Sequence, residues 1–147
     1  MTKLSTNFTL AEFTRSDAAD RLGDANDPTP EHLANLRLLA AGMERVRALF
    51  HAPITITSAY RNPRVNRAVG GVPNSHHALG LAADFRVGAM PPFNAGRQIA
   101  DSSLRFDQLI LETSRNILHI SFAPEMRRQL LTQRRGAGTP FENGIVR

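Results

Sequence analysis

Apolar side chains recur at spacings of three and four from Leu33 through Leu36, Ala40, Met43 and Val46 to Phe50. That period lines one face of a helix with an apolar stripe suited to packing under a sheet. Thr29 offers an N-cap, Pro30 suits the first helical turn, and Glu31 complements the positive end of the helix dipole. A helix is therefore predicted to start here, as scaffold rather than site. Upstream, Leu10 to Leu22 predicts a short helix. The stretch from Gly23 to Pro30 reads as a loop because Gly, Asn, Asp and prolines crowd it.

After the long helix the period changes to two. Pro53 to Tyr60 alternates apolar and polar residues and is rich in β-branched side chains, which predicts a half-buried strand that delivers Arg61 to its end. Between Asn62 and Leu79, Pro63, Gly70, Gly71, Pro73 and Asn74 predict a long irregular connection with one helical turn around Val65 to Val69. Ala82 to Val87 reads as a second strand and Phe93 to Ser102 as a helix. Phe106 to Leu111 and Ile117 to Phe122 read as two strands joined by a short turn. The tail beyond them alternates only weakly, and no internal repeat or low-complexity tract is present.

Length and composition bound what these elements build. A chain of 147 residues suits one compact domain spanning 1–147, and 41% hydrophobic with 21% charged residues are ordinary globular values. No stretch approaches the roughly 18 apolar residues of a membrane-spanning helix, and no apolar signal core follows the amino terminus. The expectation is a protein cytoplasmic when synthesised, without a signal peptide. The net charge of +5 would attract an anionic partner, nucleic acid or cell envelope. Nucleic acid is disfavoured: no DNA-binding motif is recognisable, Tyr60 is the only tyrosine, tryptophan is absent, and the arginines are dispersed. With no cysteine in the chain, His and carboxylate are the strong ligands left for a transition metal.

Three of the five histidines, His76, His77 and His119, fall in segments placed at strand edges or in loops. A hydrolytic zinc site needs about three protein ligands of the His and carboxylate type, with one position open for water. His77, Asp84 and His119 can supply them. Gly80 and the small Ala82 and Ala83 let the chain turn from the loop bearing His77 into the strand bearing Asp84. Asp84 lies in a run that otherwise favours burial, and a buried carboxylate costs several kcal/mol unless a metal or cation compensates it. A structural role remains open, since an Asp at a strand end often caps a turn. His76 and His77 would point opposite ways in an extended chain, so one of them is the ligand. Residue chemistry alone does not say which.

Ser75, His77, Gly80, Ala82 and Asp84 form the pattern SxHxxGxAxD, which resembles the signature of the zinc D-alanyl-D-alanine carboxypeptidase and L-alanyl-D-glutamate endopeptidase family of peptidoglycan peptidases. The resemblance extends upstream through Thr57, Ser58, Tyr60, Arg61, Pro63, Asn66, Gly70 and Gly71, and downstream through Phe106 to Ile110 and His119 to Ser121. The opening Asn7 to Glu12 is similar to short phage-type members. The resemblance covers nearly the whole chain. It implies a small α+β fold with a central antiparallel sheet whose face carries the metal. It also implies Zn2+ as cofactor, the peptide stem of peptidoglycan as substrate, and His77, Asp84 and His119 as ligands. Arg61 matches the arginine that contacts substrate carbonyl or carboxylate groups near the metal, a task suited to a guanidinium fork. Ser75 is placed on the substrate side, supporting the site by hydrogen bonding.

One departure bears on catalysis. Many relatives carry an acidic residue three positions before the last His as general base, whereas this chain has Asn116 there, and an amide cannot serve. The tryptophan usual two before the His is replaced by Ile117. Glu112 is the nearest acidic candidate. If the two flanking strands pair so that it lies across from His119, their Cβ atoms come within roughly 5 Å, and a slip of one residue would turn it away. The resulting expectation is a monomeric zinc peptidase, similar to a phage or prophage endolysin, acting on the cell wall after release. Asn116 motivates a second reading, a catalytically silent zinc-containing cell-wall-binding module. A third, a basic nucleic-acid binder, predicts salt-sensitive DNA binding that survives chelation.

Overall fold

The computed structural model describes residues 2–136 and 138–147. In chain order the elements are α1 (Leu10–Thr14), α2 (Asp17–Leu22), α3 (Pro30–Phe50), β1 (Ile54–Ser58), α4 (Pro63–Ala68), α5 (His76–Leu79), β2 (Ala82–Val87), α6 (Pro92–Asp101), β3 (Gln108–Glu112), β4 (Ile117–Ser121), β5 (Gln129–Gln133) and β6 (Glu142–Asn143). The six strands form one sheet in the order β1-β2-β4-β3-β5-β6. All neighbouring pairs are antiparallel except β3 and β5, which run parallel. The expected α+β class holds, with a mostly antiparallel sheet.

The long helix begins where its cap chemistry places it. The Thr29 hydroxyl accepts from the backbone N–H of His32, and Pro30 occupies the first turn. Leu36, Ala40, Met43 and Val46 are fully buried, as the stripe requires, while Leu33 and Phe50 flank the core and Leu39 joins it. Two other expectations need correction. The single helix from Leu10 to Leu22 is two helices, because Arg15 is extended and Ser16 caps a new helix by accepting from the N–H of Ala19. The stretch from Asn62 to Leu79 has the helical turn expected around Val65 to Val69, as α4, and a second that was not expected, α5, each capped by the side chain before it, Asn62 and Ser75. His76 and His77 thus stand on a helical turn, where successive side chains diverge by about 100° rather than by the half-turn of an extended chain.

Strand alternation divides the sheet into two faces. Ala83, Phe85, Val87, Leu109, Leu111, Leu118 and Ile120 belong to the main core together with α3 residues and Ile99 of α6. Burying each larger apolar side chain stabilises by about 1.5–3 kcal/mol, so this face holds β2, β3 and β4 rigidly. The intervening residues Asp84, Ile110, Glu112 and His119 share the opposite face. The strands that pack the core therefore also position the polar residues on the other face.

An ion pair between the buried Asp107 and the half-exposed Arg127 secures the turn into the parallel strand. The Asp107 carboxylate accepts from the backbone N–H and the Nε of Arg127 at 3.0 and 2.9 Å, and from its Nη2 at 2.9 Å. These hydrogen bonds hold the Asp107 carboxyl below its ordinary value of 3.8 despite burial. A carboxyl depressed in the folded state stabilises above its unfolded value, and that contribution disappears as pH falls through the lower folded value. Asp107→Asn is accordingly expected to lower the urea midpoint at pH 7 and to narrow the difference between the midpoints at pH 7 and pH 3. An unchanged difference would show that Asp107 is not a source of the acid sensitivity.

Candidate metal centre

Three side chains converge from different elements. His77 comes from the capped turn of α5, Asp84 from β2 and His119 from β4. Asp84 and His119 are direct cross-strand partners. One ligand atom from each of the three lies within 4.8 Å of the others. Asp84 Oδ1 is 3.2 Å from His77 Nε2 and 2.9 Å from His119 Nδ1. Asp84 is fully buried, His77 is 5% exposed, and the two imidazoles meet edge-on with centroids 5.0 Å apart.

The hydrogen bonds around His77 decide what this cluster can hold. Nδ1 lies 2.6 Å from the Ala59 carbonyl oxygen, and since a carbonyl only accepts, that ring nitrogen carries the proton. Burial pushes the His77 imidazole below its ordinary 6.5, with the charge of Asp84 opposing the shift. In the neutral ring Nε2 is then a bare lone pair aimed at a carboxylate oxygen. Burial alone would raise the Asp84 carboxyl, but the two imidazoles beside it outweigh that effect and hold it well below its ordinary 3.8. Lone pairs of nitrogen and oxygen that converge repel one another unless a proton or a metal cation lies among them. The donor set of two imidazoles and one carboxylate suits zinc, with the Ala59 carbonyl orienting the first ligand from behind.

Beside the cluster opens a cleft of about 750 Å³ whose walls include Arg61, Glu112, Arg115 and the edge strand β1. Arg61 is held at the end of β1 by its backbone N–H, which donates to the His77 carbonyl at 3.2 Å. Its Nε is buried without a hydrogen-bond partner among the described residues. Burial depresses the guanidinium from its ordinary value, with Asp84 and Glu112 opposing and Arg115 reinforcing the shift. A half-buried cation with unspent donors is a receptor for an anionic or carbonyl oxygen.

The residue pattern reaches 116 of the chain's residues in one continuous match: the family model for Peptidase M15 covers residues 6–121, which contain all three cluster residues. The chain belongs to the Peptidase M15 family. Among curated proteins none matches it significantly. Peptidase M15 membership makes it a hydrolase of the metallopeptidase type from a family that acts on peptidoglycan and is generally zinc-dependent. His77, Asp84 and His119 are the group that could hold the ion. No described helix is long and apolar enough to cross a membrane.

The remaining expected site residues fall as follows. The Ser75 hydroxyl caps α5, accepting from the Ala78 N–H at 3.3 Å, so the hydrogen bond it makes holds the turn that carries His77. Glu112 does not lie across from His119. Its partner in β4 is Ile117, and His119 faces Ile110. The turn of residues 113–116 closes immediately, so pairing begins at Glu112 itself. The displacement is two residues rather than one, which keeps Glu112 on the face of Asp84 and His119, at the diagonal spacing of roughly 7–8 Å between backbones. Asn116 sits in that turn with a positive φ of 54°, and its carbonyl accepts from Arg86 Nε. Arg115 was not foreseen. It donates to Asp84 Oδ2 at 3.1 Å and to Glu112 Oε1 at 2.7 Å. Its three-residue spacing from Glu112 was visible in the chain, but a turn residue beside Asn116 gives no sign of reaching a carboxylate 31 positions away.

Proposed function

We propose that this Peptidase M15 member is a zinc-dependent peptidase of one domain that hydrolyses peptide bonds in the stem peptide of peptidoglycan, with the role of a phage or prophage endolysin. The observation that carries the reading is the commitment of the His77 Nδ1 proton to the Ala59 carbonyl, which leaves Nε2 converging with Asp84 Oδ1 and His119 Nδ1. A zinc ion held there supplies a Lewis acid that polarises a peptide carbonyl and acidifies water. Arg61, on the wall of the adjoining cleft, binds a substrate carboxylate or carbonyl and offsets negative charge that builds on it during attack. Glu112, on the same sheet face as two of the ligands, accepts the proton of the attacking water and returns it to the leaving amine. Ser75 supports this arrangement through its cap on the His77 turn. The net charge of +5 suits an anionic envelope.

Asn116 in place of an acidic residue favours the silent binding module as the second reading. Digestion of purified peptidoglycan with zinc-loaded protein, with and without a chelator, separates the two when new amino termini are identified by mass spectrometry. A chelator-sensitive terminus is expected, and its identity names the bond. Stoichiometric zinc with no new terminus would establish the binding module instead.

A further inference from the structure

We propose that Arg115 is a positioning residue of this site, bridging the carboxylates of Asp84 and Glu112 and setting which oxygen each presents. The inference rests on the metal-site reading above and concerns a residue that no part of it uses. The two oxygens of Asp84 are divided. Oδ1 faces His77 Nε2 and His119 Nδ1, whereas Oδ2 accepts from Arg115 Nη2 at 3.1 Å. The Asp84 side chain is 1% exposed, so water has no access to replace that donor. With Oδ2 taken, the carboxylate offers the metal a single oxygen and keeps its rotation fixed.

The same guanidinium holds Glu112. Arg115 Nη2 and Nε both donate to Oε1, at 2.7 and 3.1 Å, leaving Oε2 without a partner among the described residues. One guanidinium nitrogen, Nη2, is thus shared between two carboxylates from neighbouring parts of the same sheet face. Burial opposes the charge of Arg115, but Asp84 and Glu112 together outweigh it and raise the guanidinium's pKa above its ordinary value.

The brace is anchored from the strand of the ligand itself. Arg86, two residues beyond Asp84 on β2, donates from Nε to the Asn116 carbonyl at 2.9 Å and from Nη2 to the Arg115 carbonyl at 3.2 Å. The turn of residues 113–116 is thus clamped to β2, which fixes where the Arg115 side chain starts. Half of that side chain is exposed. It fills no core space, so an ordinary surface ion pair is the competing explanation, and such pairs contribute little.

Arg115→Ala and Arg115→Lys decide between these. Zinc affinity is read by competition with a chromophoric chelator, the cobalt(II)-substituted protein by its visible absorption, and kcat and KM on a stem peptide. Arg115→Ala is expected to lose about 10–100-fold in zinc affinity, to change the cobalt spectrum, and to lose kcat with KM little altered, while the metal-free protein melts within a few degrees of wild type. Arg115→Lys restores the charge without the fork and is expected to recover only part of the affinity. Affinity within twofold of wild type and an unchanged cobalt spectrum in both variants would overturn the proposal while leaving the metal reading intact. A wild-type protein that binds no zinc would overturn both.

Discussion

His77→Ala is expected to abolish stoichiometric zinc binding and peptidoglycan hydrolysis together. His77 offers one of three atoms within 4.8 Å of one another that could hold the ion, and no other histidine joins that group among the described residues. His76 is adjacent on α5, but its ring lies in a different environment, where burial lowers its pKa and Asp107 rather than Asp84 is the leading acidic neighbour. Losing even a supporting partner of a metal ligand costs roughly 10–100-fold in affinity, and losing the ligand itself costs more. Folding should survive, because α5 keeps its Ser75 cap and the vacated ring lies on the polar face of the sheet. The Ala59 carbonyl loses its donor, a cost of about 1–3 kcal/mol. Zinc content after dialysis and peptide release from peptidoglycan measure the two halves of the expectation. Retention of one zinc per chain in His77→Ala would place the metal elsewhere and overturn the ligand assignment.

Glu112→Gln is expected to separate chemistry from metal binding. The substitution preserves shape and leaves an acceptor oxygen for Arg115, but an amide cannot take a proton from water. General bases commonly contribute 10²–10⁴-fold, so kcat is expected to fall by about that factor with zinc content unchanged. A turnover within tenfold of wild type would assign the proton to another group. If neither the wild type nor Glu112→Gln releases a peptide while both hold zinc, the chain is the silent binding module that Asn116 suggests.

The local features of the fold were open to reading because their causes are local. A cap, a proline in the first turn and a three-four apolar spacing act within a few residues, and α3 starts where Thr29 and Pro30 place it. Period-two alternation located β2 to the residue, and β1 and β4 within one or two. The helix break at Arg15 was missed although Ser16 marks it locally by capping α2; what the sequence could not show is the Arg15 guanidinium donating to the distant Ile56 carbonyl in β1. β5 was missed for a non-local reason. Its parallel partner β3 lies across an intervening hairpin strand, and the weak alternation of Gln129 to Gln133 acquires meaning only beside it.

The site divides along the same line. His77 and Asp84 lie seven residues apart inside one motif, and His119 is tied to the same family pattern, so the chain by itself marked the candidate ligand set and its family. Tertiary structure alone decided the rest. The Ala59 carbonyl selects the His77 ring nitrogen, the immediate closure of the 113–116 turn sets Glu112 opposite Ile117, and Arg115 bridges two carboxylates from different strands. Residue type and spacing record which groups are present and how the nearby backbone folds. Register and side-chain reach depend on contacts between segments tens of residues apart, which come together only when the core face of β2, β3 and β4 is buried against α3 and α6.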